Sequence, residues 1–166
     1  MYCNAKNGGT VPKAQRSLPA EKEHARMAYE RKEISESDVA GQLLICARIR
    51  AENDMLPRRP LALVDTYGCQ QNEEDSERLR GYLAEMGFGF TADENEAEVI
   101  VVNTCAVREH AEMRVLGNVG ALVHAKKKNP RLIVAVCGCM AQQPHMAEKV
   151  KRSFRVVDLV FGPHEL

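Results

Sequence analysis

Apolar and polar positions divide the chain into two unlike parts. Residues 1–19 contain few large apolar side chains and several glycines and prolines, a composition typical of poorly ordered chain. Over residues 20–53 the pattern becomes helical, with an apolar face that arginines interrupt. Two prolines follow within a few residues and exclude further helix. We therefore expect an N-terminal extension over residues 1–60, disordered and then helical, and a separate domain over residues 61–166.

From residue 61 onward, short apolar runs alternate with amphipathic segments. The runs rich in branched apolar residues are strand candidates, at residues 61–67, 88–91, 99–103, 132–136 and 156–161. The amphipathic segments between them are helix candidates, at residues 73–86, 107–128 and 145–154. Strands that are apolar throughout are buried on both faces, which is typical of parallel sheets. The predicted fold class is α/β, with an open, mainly parallel, Rossmann-like sheet, flanking helices and a helical N-terminal extension.

The composition is that of an ordinary globular protein, with 45% hydrophobic and 28% charged residues among 166. No apolar run approaches the roughly 18 residues that cross a bilayer, so we expect no membrane contact. The polar N-terminus lacks the apolar region of a signal peptide, and we expect a cytoplasmic protein. In a reducing cytosol the six cysteines are core residues, metal ligands or catalytic thiols rather than a disulfide framework.

Three cysteines come shortly after three of the predicted strands, namely Cys69, Cys105 and Cys139. The carboxyl ends of parallel strands lie along one edge of a sheet, so residues distant in sequence converge there. Helix N-termini at this edge favour thiolate over thiol, and thiolates select zinc, copper(I) or iron–sulfur clusters. A single such cysteine is more often a small buried hydrophobe, whereas three at equivalent positions favour metal ligation. Three protein ligands, rather than four, leave a coordination position open.

Several neighbours of these cysteines have two interpretations. Cys137 lies two residues before Cys139, and alternation along an extended segment puts both on one side, as alternative ligands or as ligand and core-edge residue. Gln70, Asn72 and Asn103 carry amides that either donate hydrogen bonds to cluster sulfurs or cap helices and turns. The residues alone leave both pairs of alternatives open.

The segments around the three cysteines resemble the N-terminal domain of the bacterial tRNA methylthiotransferases. The resemblance is strongest to the radical S-adenosylmethionine enzymes that convert N6-isopentenyladenosine in tRNA into its 2-methylthio derivative. The matching stretches are TYGCQQN at 66–72, DSE at 75–77, NTCAVRE at 103–109 and CGCMAQQ at 137–143. The resemblance covers residues 61–166 in order and spacing, and residues 1–60 lie outside it.

The resemblance implies a cofactor and a reaction. In that family the motif cysteines hold an auxiliary 4Fe–4S cluster, and they correspond here to Cys69, Cys105 and Cys139 rather than Cys137. The implied enzyme is a transferase that adds a methylthio group to C2 of N6-isopentenyladenosine in the tRNA anticodon loop. The implied partner is tRNA, and we expect a monomer. Related members act on threonylcarbamoyl-adenosine or on a ribosomal-protein aspartate, while the residues alone also allow a non-catalytic zinc-binding α/β module.

The chain also departs from the family pattern. Family enzymes have a central domain with a CxxxCxxC motif, which holds a second 4Fe–4S cluster and S-adenosylmethionine, and they end in a small RNA-binding barrel. No CxxxCxxC motif occurs in residues 1–166. We therefore expect a truncated chain with no catalytic residue of its own and no activity by itself. The second cluster and S-adenosylmethionine are expected on the missing central domain.

A basic run, Lys126, Lys127 and Lys128, stands out in a chain whose formal net charge is zero. It is either a solvated helix face or a contact to tRNA phosphates, which would make binding sensitive to salt. The chain has no Trp and only 4 Phe and 4 Tyr. This scarcity argues against stacking on many bases.

Overall fold

The computed structural model describes residues 35–105 and 109–163. The predicted disordered segment and the first part of the predicted helical region therefore lie outside the described residues. Helix α1 spans Glu36–Asp54, inside the region predicted to be helical. No residue of α1 is buried, and its interrupted apolar face meets the core through Ile49, which is partly buried. The boundary between extension and domain at residue 60 stays a prediction.

The end of α1 is attached to the sheet-bearing part of the chain by polar contacts. Asn53 donates a hydrogen bond of 2.8 Å to the carbonyl of Met86, and the side chain of Arg50 lies 3.5 Å from the carbonyl of Glu85. Both carbonyls lie at the end of a helix, where backbone acceptors lack partners within the helix. These contacts satisfy two of those acceptors.

A sheet of five parallel strands forms the centre of the described structure. Its strands are β1 (Leu61–Tyr67), β2 (Gly89–Phe90), β3 (Val99–Thr104), β4 (Ile133–Cys137) and β5 (Leu159–Phe161). They lie in the order β2-β1-β3-β4-β5, and every neighbouring pair is parallel. The predicted α/β class with a parallel, Rossmann-like sheet is confirmed.

Three helices connect these strands: α2 (Gln70–Glu85), α3 (Glu109–Lys128) and α4 (Pro144–Ser153). Helix α2 begins three residues earlier than the sequence predicts, because Cys69 already takes the cap position. The chain leaves α2 through Gly87, whose φ of 94° belongs to the left-handed region that favours glycine. The predicted start of α3 falls on residues 106–108, outside the described residues.

Side chains alternate along the strands, so the helices build two cores, one on each face of the sheet. Helix α2 packs on one face, where Leu79 and Leu83 join Val101 of β3. Helices α3 and α4 pack on the opposite face. The helices that follow β1 and β3 therefore lie on opposite faces, and such a switch point opens a crevice at the carboxyl ends of the two strands. No helix among the described residues is long and apolar enough to cross a membrane.

Candidate metal centre

The sheet register brings the three cysteine turns to one edge. Tyr67 pairs with Thr104 across β1 and β3, and Asn103 pairs with Cys137 across β3 and β4. Because Cys69, Cys105 and Cys139 follow these paired positions by one or two residues, all three stand at the same level beyond three adjacent strands. The predicted convergence of the three strand ends is thus present in the fold.

The three thiols have different surroundings and act on one another. Cys69 is exposed, Cys105 is buried and Cys139 is intermediate. Backbone N–H groups of Asn72 and Gln71, at the start of α2, lower the pKa of the Cys69 thiol, and a hydrogen bond with Cys105 lowers it further. Burial raises the pKa of the Cys139 thiol, and the charges of Cys105 and Cys69 add to this effect. Three thiolates at this edge would repel one another, and a cationic metal group would relieve the repulsion.

The cysteine assignment itself stays a prediction. Among the side chains that the structure describes, those of residues 35–105 and 117–163, no group of three or more His, Cys, Asp or Glu is arranged as a metal ion requires.

A glycine turn separates Cys137 from Cys139. Gly138 has a φ of 95°, and a Cβ atom at this position would lie 2.3 Å from the carbonyl oxygen of Thr104. The chain therefore turns away from strand geometry after Cys137, and the alternation assumed from the sequence ends there. Cys137 lies in the core on the α2 face, where burial, followed by the charge of Asp75, raises its pKa to about 12. Cys139 lies beyond this turn, at the carboxyl edge of the sheet.

Two asparagines join the turns beneath the cysteines. The side chain of Asn72 donates to Oδ1 of Asn103 at 3.0 Å and to the carbonyl of Thr104 at 3.2 Å. In return the side chain of Asn103 donates to the carbonyl of Asn72 at 2.8 Å and to Oγ of Ser76 at 3.0 Å. All four residues have 0% exposure, so these bonds form in the interior, where an unpaired polar group is costly.

Sequence reasoning singled out Asn72 and Asn103 but missed Ser76 and Thr104. The sequence feature that could have identified both is a polar residue at a position that the hydrophobic pattern predicts to be buried. Thr104 ends an apolar strand, and Ser76 lies one turn after Asn72, on the face of α2 that carries Leu79. Gln70, the third amide considered, is exposed.

Comparison with known proteins adds the family. A family model described as "Uncharacterized protein family UPF0004" matches residues 62–162, well over half of the chain. The chain belongs to this family. The match covers β1 to β5 and all three cysteine turns of the UPF0004 domain.

Relatives of this UPF0004 domain are named as tRNA-modifying enzymes. The chain is 57% identical over 104 residues to a "tRNA-2-methylthio-N(6)-dimethylallyladenosine synthase" of Alkaliphilus oremlandii, covering 63% of this chain and 22% of the relative. Proteins of the same name match from Clostridium perfringens (52% identity, 68% and 25% covered) and Clostridioides difficile (50% identity, 66% and 23% covered). The predicted resemblance to the N-terminal domain of the tRNA methylthiotransferases is confirmed. The chain spans about a quarter of the length of the curated relatives it matches.

A buried carboxylate lies near the cysteines of the UPF0004 domain. Asp75, on α2, is 3% exposed, and its charge raises the pKa values of Cys137 and Cys139. Its Oδ1 accepts a hydrogen bond of 3.3 Å from Gln71 and lies 3.9 Å from Arg78. Its Oδ2 has no hydrogen-bond partner in the part of the chain that the structure describes.

The basic run at the end of α3 is partly committed to contacts within the domain. Lys126 forms an ion pair with Asp158 at 2.6 Å, and Lys128 donates to Asn95 at 2.8 Å. Lys127 is exposed. Two of the three lysines, Lys126 and Lys128, therefore have partners within the domain.

A cavity of about 700 Å³ lies on the α3 face of the sheet, beside β1. The connection at residues 91–98 contains no helix, and its residues 92–95 line the cavity. The cavity is lined by Asp65, Tyr67 and Asn118, among others, and none of the cysteines lines it. Tyr67 bridges the other two, because it donates to Asp65 and accepts from Asn118 at 2.5 Å. The cavity and the cysteine edge are therefore separate features.

Proposed function

We propose that this chain holds an auxiliary 4Fe–4S cluster through Cys69, Cys105 and Cys139, within a tRNA methylthiotransferase. The observation that carries the proposal is the common level of the three cysteine turns beyond β1, β3 and β4. Thiolates are the usual ligands of iron–sulfur clusters, and the lowered pKa of Cys69 favours that form. The donor set therefore fits the group.

The domain's own residues would supply ligation and positioning. With three thiolate ligands, the cluster would keep one iron open for an exogenous sulfur group. The N-terminus of α2 stabilises a thiolate at Cys69 through the N–H groups of Asn72 and Gln71. Cys105 lies buried beside it, which keeps water from that ligand. We propose no catalytic residue on this chain.

The proposed reaction of the whole enzyme is addition of a methylthio group to C2 of N6-isopentenyladenosine in tRNA. Its support is the name that the curated relatives share, which specifies a methylthio modification of dimethylallyladenosine in tRNA. We assign the radical step, S-adenosylmethionine and the second 4Fe–4S cluster to a central domain of the whole enzyme, because no CxxxCxxC motif occurs in residues 1–166. The enzyme is proposed to act in the cytoplasm as a monomer.

Anaerobic reconstitution with ferrous iron and sulfide tests the cluster. We expect wild type to bind about four irons and to show a sulfur-to-iron charge-transfer band. A Cys69→Ala, Cys105→Ala, Cys139→Ala variant is expected to bind none. Cys46→Ala is the matched control, since Cys46 lies on α1, away from the three turns, and should leave iron binding unchanged.

Two outcomes would contradict the proposal. Equal iron in wild type and in the triple variant would show that the ligand assignment is wrong. Tight stoichiometric zinc without iron uptake would favour the zinc-binding module instead. The substrate is tested separately, by expressing the whole gene in cells that lack the modification. Mass spectrometry of tRNA nucleosides then distinguishes isopentenyl-adenosine from threonylcarbamoyl-adenosine as the acceptor.

A further inference from the structure

The buried asparagine pair reaches all three cysteine turns. On one side, Oδ1 of Asn72 accepts from the backbone N–H of Cys69 at 3.2 Å and lies 3.4 Å from its Sγ. On the other, the Asn72 side chain donates to the carbonyl of Thr104, the group directly before Cys105. Asn72 therefore spans the first two cysteine turns.

Thr104 extends this connection to the third turn. Its carbonyl also accepts from the backbone N–H of Met140 at 3.4 Å, and Met140 directly follows Cys139. Its hydroxyl donates to the carbonyl of Cys137 at 2.8 Å. The Cys137–Met140 turn is thus held from both ends by a single residue of β3.

The asparagines have no donor left for a cluster. A side-chain amide carries two N–H donors. Those of Asn72 go to Asn103 and Thr104, and those of Asn103 go to Asn72 and Ser76. Because all four amide N–H donors are used, the structure decides for these two asparagines between the interpretations that the sequence left open. The amides hold backbone turns together and do not donate to cluster sulfurs.

We propose that Asn72, Asn103 and Thr104 form a clamp that sets the spacing of the three cysteine turns before any cluster binds. The inference rests on the proposed cluster-binding function. A site whose loops are ordered during folding loses less entropy when its ligand arrives. The clamp residues act through the cysteines, and they are positioning residues rather than ligands. Their loss should therefore speed the release of the cluster without changing which residues ligate it.

The experiment compares clamp variants with a core variant of similar stability. Asn72→Ala and Asn103→Ala remove the clamp, whereas Leu79→Ala removes a buried side chain on the same face of α2, outside the clamp. After anaerobic reconstitution, the rate at which iron passes to a chelator is measured at temperatures equally far below each variant's Tm. We expect release to be about tenfold faster from the clamp variants than from Leu79→Ala. The electron paramagnetic resonance spectrum of the reduced cluster should also shift in the clamp variants only.

A second pair of variants, each lacking a single hydroxyl, tests the clamp if an asparagine variant does not fold. Thr104→Val removes the hydroxyl that holds the third turn and keeps the side-chain shape. Thr66→Val removes a hydroxyl that bonds Ser76 at 2.8 Å and belongs to none of the three clamp residues. Faster iron release from Thr104→Val than from Thr66→Val supports the clamp.

The two proposals fail in different ways. If clamp variants release iron no faster than their controls, the clamp is wrong, although cluster binding stands. If wild type takes up no iron at all, the proposed function fails first, and the clamp fails with it.

Discussion

The two faces of the sheet bury different chemistry near the carboxyl ends of the strands. On the α2 face, Asn72, Ser76 and Asn103 are fully buried and bonded to one another. On the α3 face the buried core is apolar, with Ile100 and Val102 packed under α3 and α4, and the polar Asp65, Tyr67 and Asn118 around the cavity are not fully buried. Apolar burial stabilises a fold but is not directional. A network of buried hydrogen bonds, in contrast, fixes the relative positions of the side chains and backbone groups that it joins. The hydrogen-bond network on the α2 face is the one that joins the cysteine turns.

The comparison predicts that stability and metal binding respond to different faces. Ile100→Ala empties a fully buried position on the α3 face and should lower the free energy of unfolding by about 3 kcal/mol. Urea denaturation measures this loss. Iron bound per folded chain should equal that of wild type, because none of Cys69, Cys105 and Cys139 belongs to this core, although Met140, directly after Cys139, packs in it. If Ile100→Ala folds but binds less iron than wild type, the two faces do not have separate roles in stability and metal binding.

The next largest effect is expected at the turn between Cys137 and Cys139. Gly138→Ala forces a side chain into a left-handed conformation and against the carbonyl oxygen of Thr104. We expect a loss of about 2 kcal/mol or more in the free energy of unfolding, with reduced iron retention. Gly117→Ala is the control, since a Cβ there meets no atom within 4 Å. Equal iron retention in both variants would show that the turn does not position Cys139.

A smaller effect, of opposite sign, is expected at Asp75. Its buried Oδ2 lacks a partner among the described residues, so Asp75→Asn removes an incompletely paired charge while Oδ1 can still accept from Gln71. The free energy of unfolding of the cluster-free protein should rise by about 1 kcal/mol. Calorimetry compares it with Glu73→Gln, a variant at an exposed position in the first turn of the same helix. Destabilisation by Asp75→Asn would mean that the carboxylate has a partner that the described residues do not supply.

The smallest effect concerns the pair of Asp158 and Lys126. Burial raises the pKa of Asp158, but hydrogen bonds from Lys126 and from the backbone of Val134 outweigh it and hold the pKa below its usual value of 3.8. Because the folded pKa is the lower one, the pair stabilises the fold above pH 3.8 and loses this contribution as the pH falls through the folded value. Asp158→Asn should cost at most about 1 kcal/mol at pH 7, since both side chains are partly exposed.

Unfolding followed from pH 7 down to pH 2 measures the Asp158 contribution. The difference between wild type and Asp158→Asn should shrink at the acid end, and iron binding at pH 7 should not change. A difference that is constant with pH would rule out the ion pair as its source.

The sequence by itself determined the elements and their kind. Apolar strands separated by amphipathic helices allow few arrangements other than a parallel sheet, and the residue after a parallel strand must lie at its carboxyl edge. Cys69, Cys105 and Cys139 could therefore be placed together from their positions alone. Local patterns also placed the end of α2 and the start of α4 within one residue of their positions in the structure.

Tertiary structure decided which side chains near the cysteines do what. Alternation along an extended segment predicts that Cys137 and Cys139 share a side, but close approach of the chain to Thr104 imposes the turn at Gly138. The groups that accept hydrogen bonds from the Asn72 and Asn103 amides lie on another element, so no local pattern could choose between capping, clamping and contact with a cluster. Likewise, the sequence shows an interrupted apolar face on α1, and the structure decides that this face buries no residue fully and packs Ile49 against the core. In each case the deciding contact joins residues far apart in sequence, and only the folded chain brings such residues together.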